Sequence, residues 1–107
     1  SRIKAARIAE DIAEEQSIDF EMMFETKYQE LLSQLIQHEK ALEYFELEGA
    51  ALAKEILKTA NSSFKNGEID FYQYILSLEN AYDIQVSHLE NLNNYNQTVI
   101  KINYLTL

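Results

Sequence analysis

The sequence has no cysteine, no proline and no tryptophan, and only two glycines in 107 residues. Without cysteine, neither a disulfide framework nor a thiolate metal site can form. Without proline, and with so little glycine, the chain has few places to reverse. A loop-rich mixed fold is excluded on that ground, and long helices remain. Basic residues are scarce too: nine against 18 acidic, for a net charge of −9. Nucleic-acid binding needs a basic surface, so that class is excluded. No apolar run approaches the ~18 residues of a membrane-spanning helix, and no signal peptide is recognisable. That leaves either a cytosolic chain or a stretch of a longer exported one.

The strongest local signal is the stretch Ser62 to Phe71, which contains Lys65-Asn66-Gly67-Glu68. Asn-Gly marks a turn, and glycine tolerates the positive φ found just past a helix C-terminus. Lys65 suits the last turn of a preceding helix, and Glu68 or Asp70 the first turn of a following one. Turn chemistry and charge therefore agree on a reversal. The expected organisation is helix 2–64, tip turn 65–68, helix 69–105: an all-α, long antiparallel coiled-coil hairpin.

Before the turn, Phe24, Tyr28, Leu31, Leu35, His38, Leu42, Phe45, Gly49, Leu52 and Ile56 recur in steps of three and four, the spacing of a coiled-coil seam. Leu32, Ile36, Leu47 and Leu57 widen the apolar face, which implies more than one neighbour. Gly49 with Ala50, Ala51 and Ala53 permits close helix approach. After the turn, Phe71, Ile75, Leu78, Tyr82, Leu89, Leu92, Asn96 and Val99 give a second expected seam. Asn91, Asn93, Asn94 and Asn96 then lower helix propensity. The β-like run 99–105 is expected to fray or to leave towards a strand.

The two runs differ in length, roughly 60 residues or ~90 Å against roughly 35 residues or ~53 Å. Residues up to about Tyr28 therefore lack a partner, and Ile8, Ile12, Ile18 and Met22 are left exposed. Two readings stay open. Gln16-Ser17-Ile18-Asp19 is the weakest helical stretch of the first half, and a break or kink there would fold the arm back as a third helix. Otherwise another chain covers it. Arg2, Lys4 and Arg7 at the start oppose the helix dipole, as expected of a segment continued from a longer structure.

His38 and His88 are too few and too far apart for a metal site, which takes three or four convergent ligands. Glu14, Glu15, Glu39, Glu43, Glu46 and Glu48 read as a solvated acidic face, because a hairpin has no pocket to separate two carboxylate pKa values. No catalytic motif is present, and no cofactor or enzyme activity is expected.

The run Ala53-x6-Ala60-x3-Phe64-x2-Gly67-Glu68-Ile69-x5-Ile75-x5-Ala81-Tyr82, continued by Leu92-x2-Tyr95-Asn96 and Tyr104-Leu105, resembles the second hairpin of TolC-type outer-membrane efflux channels. Gly-Glu-Ile-Asp-Phe at the tip is most similar to the heavy-metal branch (CusC- and CzcC-like), and Arg-Ile-Lys-Ala-Ala to the segment leaving the β-barrel. The resemblance spans nearly the whole chain, about a quarter of a channel subunit. Its motifs are loose: the chain ends at Leu107, so the usual following glycine is not seen, and the barrel strands and first repeat lie outside it.

The resemblance implies a periplasmic segment of a homotrimeric channel in a Gram-negative outer membrane. The partners it implies are a periplasmic adaptor and an inner-membrane pump of the resistance-nodulation-division class. Phe64, Lys65, Asn66, Gly67, Glu68 and Ile69 become the adaptor-contacting tip. Ile8, Ile12, Phe24 and Tyr28 become packing against the neighbouring repeat. The alternative is a self-contained helical bundle that binds a partner helix.

Overall fold

The computed structural model describes all 107 residues, Ser1–Leu107. Helix α1 spans Arg2–Tyr44, a π turn spans Phe45–Gly49, and α2 spans Ala50–Lys65. These three form one continuous rod. After the turn, α3 spans Phe71–Thr106 and runs back along it. The molecule is an antiparallel hairpin measuring 93 × 24 × 15 Å.

Of 96 backbone hydrogen bonds, 91 lie within helices, so local bonding satisfies the backbone and packing only decides which faces meet. α1 is unbroken through Ser17, so the arm does not fold back as a separate helix. Good helix formers on both sides outweigh the weak Gln16–Asp19 stretch. The C-terminal run does not turn to strand either, and α3 stays helical through Thr106. Ile102 and Leu105 remain half-buried there. Leu105 borders a groove with Leu31 and Lys27, so packing overrides β propensity.

Six residues are buried: Leu31, Gly49, Ala53, Ala60, Ala81 and Thr98. Five of the six are small, which marks close approach of the helices. Thr98 donates its hydroxyl to the Asn94 carbonyl at 2.9 Å, so its polar atom is satisfied without a cross-chain partner.

Along α1 the expected seam holds from Phe24 to Gly49. Beyond it the contact line moves. Ala53 is buried where Leu52 was expected, and Leu52 is half exposed. The cause is the π turn, where the Ala50 N–H donates to the Phe45 carbonyl. That i→i+5 bond takes up one extra residue, so the contact line passes through Ala53 and Ala60, with the expected Ile56 and its neighbour Leu57 both half-buried between them.

The line on α3 is displaced from the expected one, which keeps only Ile75, Leu78 and Val99 partly covered. Tyr74, Ser77, Ala81, Ile84, His88, Asn91, Tyr95, Thr98, Ile102 and Leu105 form a continuous buried or half-buried line, in unbroken steps of three and four. The apolar seam expected from Phe71, Tyr82, Leu89 and Leu92 lies one residue further round, about 100° away, and is exposed. Ile75, Leu78 and Val99 stay half-covered at its edge.

Candidate functional site

The tip is closed by two capping devices in succession. Asn66 is the last residue with helical backbone, and Gly67 follows at φ +73°. The Gly67 N–H donates to the Phe64 carbonyl at 3.1 Å and the Glu68 N–H to the Ser63 carbonyl at 2.8 Å. This pair of bonds is a Schellman motif, and its left-handed residue is glycine because a Cβ there meets the carbonyl oxygen. Space is not the reason, since nothing lies within 4 Å of a Cβ built on Gly67.

Asp70 opens α3. Its carboxylate accepts from the Gln73 N–H at 2.8 Å, and the Gln73 side-chain oxygen accepts from the Asp70 N–H at 3.0 Å. This reciprocal box satisfies two otherwise orphaned donors. Asp70 therefore sits at the N-cap, and α3 starts at Phe71, two residues later than the expected 69.

Behind the turn lies an aromatic cluster. Phe64 stacks on Tyr74 with ring centroids 4.7 Å apart and meets Phe71 at 6.3 Å. The Tyr74 hydroxyl donates to Asn61 Oδ1 at 2.6 Å, tying the two helices one turn from the tip. Lys65, Asn66, Gly67 and Glu68 are all exposed at the end of the rod. Ile69 is half-buried and borders a shallow groove with Ile56, Ala60 and Ser63. Of the six tip residues, Ile69 is therefore turned inward and braces the turn. Sequence reasoning missed Tyr72, which is 70 % exposed beside Phe71. The signal was available: an aromatic pair directly after an N-cap cannot bury both members on one face.

The structure does not bring the remaining site residues to the tip. Ile8 and Ile12 lie on the overhanging arm, 55 % and 50 % exposed, with no covering element from this chain. Phe24 and Tyr28 stand where pairing begins. Their rings are parallel with centroids 6.4 Å apart, and both are half-buried. His38 is half-buried in the contact line. No group of three or more His, Cys, Asp or Glu side chains is placed to hold a metal ion. No helix is long and apolar enough to cross a membrane.

The middle of the hairpin holds the other unusual site. Phe45 and His88 stack at 3.8 Å with planes 8° apart. His88 Nδ1 is buried there without a hydrogen-bond partner. Gly49 lies against this stack, where an added Cβ would come within 3.1 Å of Phe45 Cδ2.

The surface is large for the chain's mass, as the elongated 93 × 24 × 15 Å shape requires, and it is rich in apolar side chains. The accessible area is 8653 Å² for a 12.5 kDa chain. A compact monomer of that mass exposes about 6,200 Å². Exposed large apolar residues run along both helices, including Ile8, Ile18, Met22 and Ile36 on α1 and Tyr82, Val86 and Leu89 on α3. Each helix thus carries a second apolar stripe beside the one used within the hairpin.

No family model, curated protein or solved structure matches the chain.

Proposed function

We propose that this hairpin is the periplasmic helical segment of a TolC-like outer-membrane channel in a tripartite efflux pump. One observation carries the reading: both helices of the hairpin bear a second, unpartnered apolar stripe besides their mutual seam. A helix with two seams is built to sit between two neighbours, as in a wall of many helices. The overhanging arm, with Ile8 and Ile12 exposed, fits the same role, because a longer neighbour would cover it.

In this reading the hairpin is wall and transforms nothing. Drugs or heavy-metal cations pass along the lumen of a homotrimer, and opening is a change of helix packing at the tip. The tip residues Phe64 to Glu68 meet the adaptor hairpin, with Ile69 bracing them from behind. The adaptor connects them to the resistance-nodulation-division pump.

The test is Gly67→Trp in the full-length parent. Loss of drug or metal resistance with normal amounts of protein in the outer membrane is the expected outcome. Retained resistance overturns the adaptor-contact role. The alternative, a self-contained three-helix bundle, requires Ile8 and Ile12 to pack on their own hairpin, and both are exposed on a continuous rod. Ile8→Cys should therefore crosslink between molecules.

A further inference from the structure

The face one residue past the mutual seam has a definite geometry. In a right-handed helix each residue lies about 100° beyond the last. The two helices face each other and run in opposite directions. One step past the seam therefore swings the side chains of both to the same side of the hairpin. On α3 that step reaches Tyr82, Leu89 and Leu92. On α1 it reaches Glu39, Glu43 and Glu46, which follow the seam residues His38, Leu42 and Phe45. The surface grooves agree: Glu46 and Leu92 border one groove beside Phe45 and His88, while Tyr44, Asp83 and Ser87 border the groove on the opposite side. Phe45 stacks on His88, so the row of glutamates lies level with Leu89 and Leu92.

This face is apolar along one helix and anionic along the other. None of its carboxylates is in an ion pair within 4 Å, the one such pair in the chain being Lys27–Glu30, and Lys40 is the one basic residue between Glu39 and Glu46. We infer that the face docks a separate cationic amphipathic helix, with its apolar stripe on Tyr82, Leu89 and Leu92 and with Lys or Arg on the flank that meets Glu39, Glu43 and Glu46. The seven-residue spacing of Tyr82 and Leu89 receives knobs from a helix, not from a strand. A second copy is the poorer occupant. It would bring three more glutamates to the same contact, and its own charge of −9. An anionic lipid surface is opposed for the same reason. The inference goes beyond the channel reading and does not need it.

The test is fluorescence anisotropy of labelled 25-residue synthetic helices with the full chain at 0.15 M salt. One peptide has a leucine stripe flanked by lysine. A second has the same stripe flanked by glutamate. A third keeps the lysine content but scatters the leucines off the stripe. The first should bind at least 10-fold more tightly than either of the others. The double variant Leu89→Asn/Leu92→Asn, at exposed positions, should weaken it at least 10-fold with unchanged helicity. The triple variant Glu39→Lys/Glu43→Lys/Glu46→Lys should reverse the preference between the lysine and glutamate peptides. Equal binding of the striped and scattered lysine peptides would reduce the effect to bulk charge and overturn the proposal. An unreversed preference in the triple variant would do the same. A dimer in sedimentation that Leu89→Asn/Leu92→Asn dissociates would assign the face to a second copy instead.

Discussion

Phe45 and His88 stack ring on ring, 3.8 Å between centroids, at the one turn where the long rod widens to π geometry. The stack buries His88 Nδ1 without a partner. Position 88 thus combines a favourable contact with an unfavourable one, and substitution separates them. His88→Phe keeps the ring and removes the orphaned nitrogen. It should stabilise the hairpin by about 1 kcal/mol, the usual cost of an unsatisfied polar atom. His88→Ala loses the stack and should destabilise by roughly 2 kcal/mol or more. Urea melts followed by circular dichroism read both. A destabilised Phe variant would mean that Nδ1 finds a partner in solution.

Gly49 sits beneath that stack. Alanine gains about 1 kcal/mol of helix propensity over glycine. Its Cβ would also press on Phe45 Cδ2 at 3.1 Å. The two effects should nearly cancel in Gly49→Ala. Gly49→Leu drives a branched side chain between Phe45 and Ile84 and should cost about 2 kcal/mol. A leucine variant as stable as the parent would show that the helices separate freely at the π turn.

At the tip, Gly67 is held by backbone geometry alone. Gly67→Ala should cost about 1–2 kcal/mol, the price of a left-handed L-residue. A D-alanine placed there by chemical synthesis should be tolerated, because a φ of +73° is the favoured region for a D-residue and Gly67 is exposed at the end of the rod. A D-alanine variant that melts like the L-alanine one would refute the conformational explanation.

Asp70→Ala removes the carboxylate that accepts from the Gln73 N–H and leaves the backbone N–H at position 70 bonded to the Gln73 side chain. The expected loss is about 1 kcal/mol, with Asp70→Asn or Asp70→Ser recovering most of it. Thermal melts of the three variants suffice. Equal melting of all three would mean that Gln73 and water cap α3 unaided.

Deleting residues 1–22 should leave the melting transition of the hairpin nearly unchanged, because paired structure begins at Phe24 and Tyr28. A large drop would mean that the arm is covered in solution. Concentration dependence of the melt would then identify self-association as the cause.

The hairpin, its reversal at Gly67 and the overhang were legible in the sequence because each rests on local chemistry or on counting residues. The phase of α3 was not. Hydrophobicity tracks Phe71, Tyr82, Leu89 and Leu92, whereas the contact line is chosen by size, through Ser77, Ala81 and Thr98. Small residues let the backbones approach, and no hydropathy scale scores that. The π turn left a faint trace in two successive steps of four, Phe45 to Gly49 to Ala53, where a regular seam alternates. At the tip, the exposed residues Lys65 to Glu68 were readable, but the inward turn of Ile69 depends on a groove formed by α2 and α3 together. For Tyr72 the cap at Asp70 had to be placed first.

The tip also sets an order of assembly. Gly67 and Asp70 fix a tight reversal, so the first cross-helix bond, Tyr74 to Asn61, joins residues only 13 apart. Closing so short a loop takes well under a microsecond. Each later contact, out to Leu31 beside Leu105, adds to pairs already in register and needs no new long-range search. The hairpin should therefore zip from the turn outward and open from its far end first, next to the arm that already has no partner.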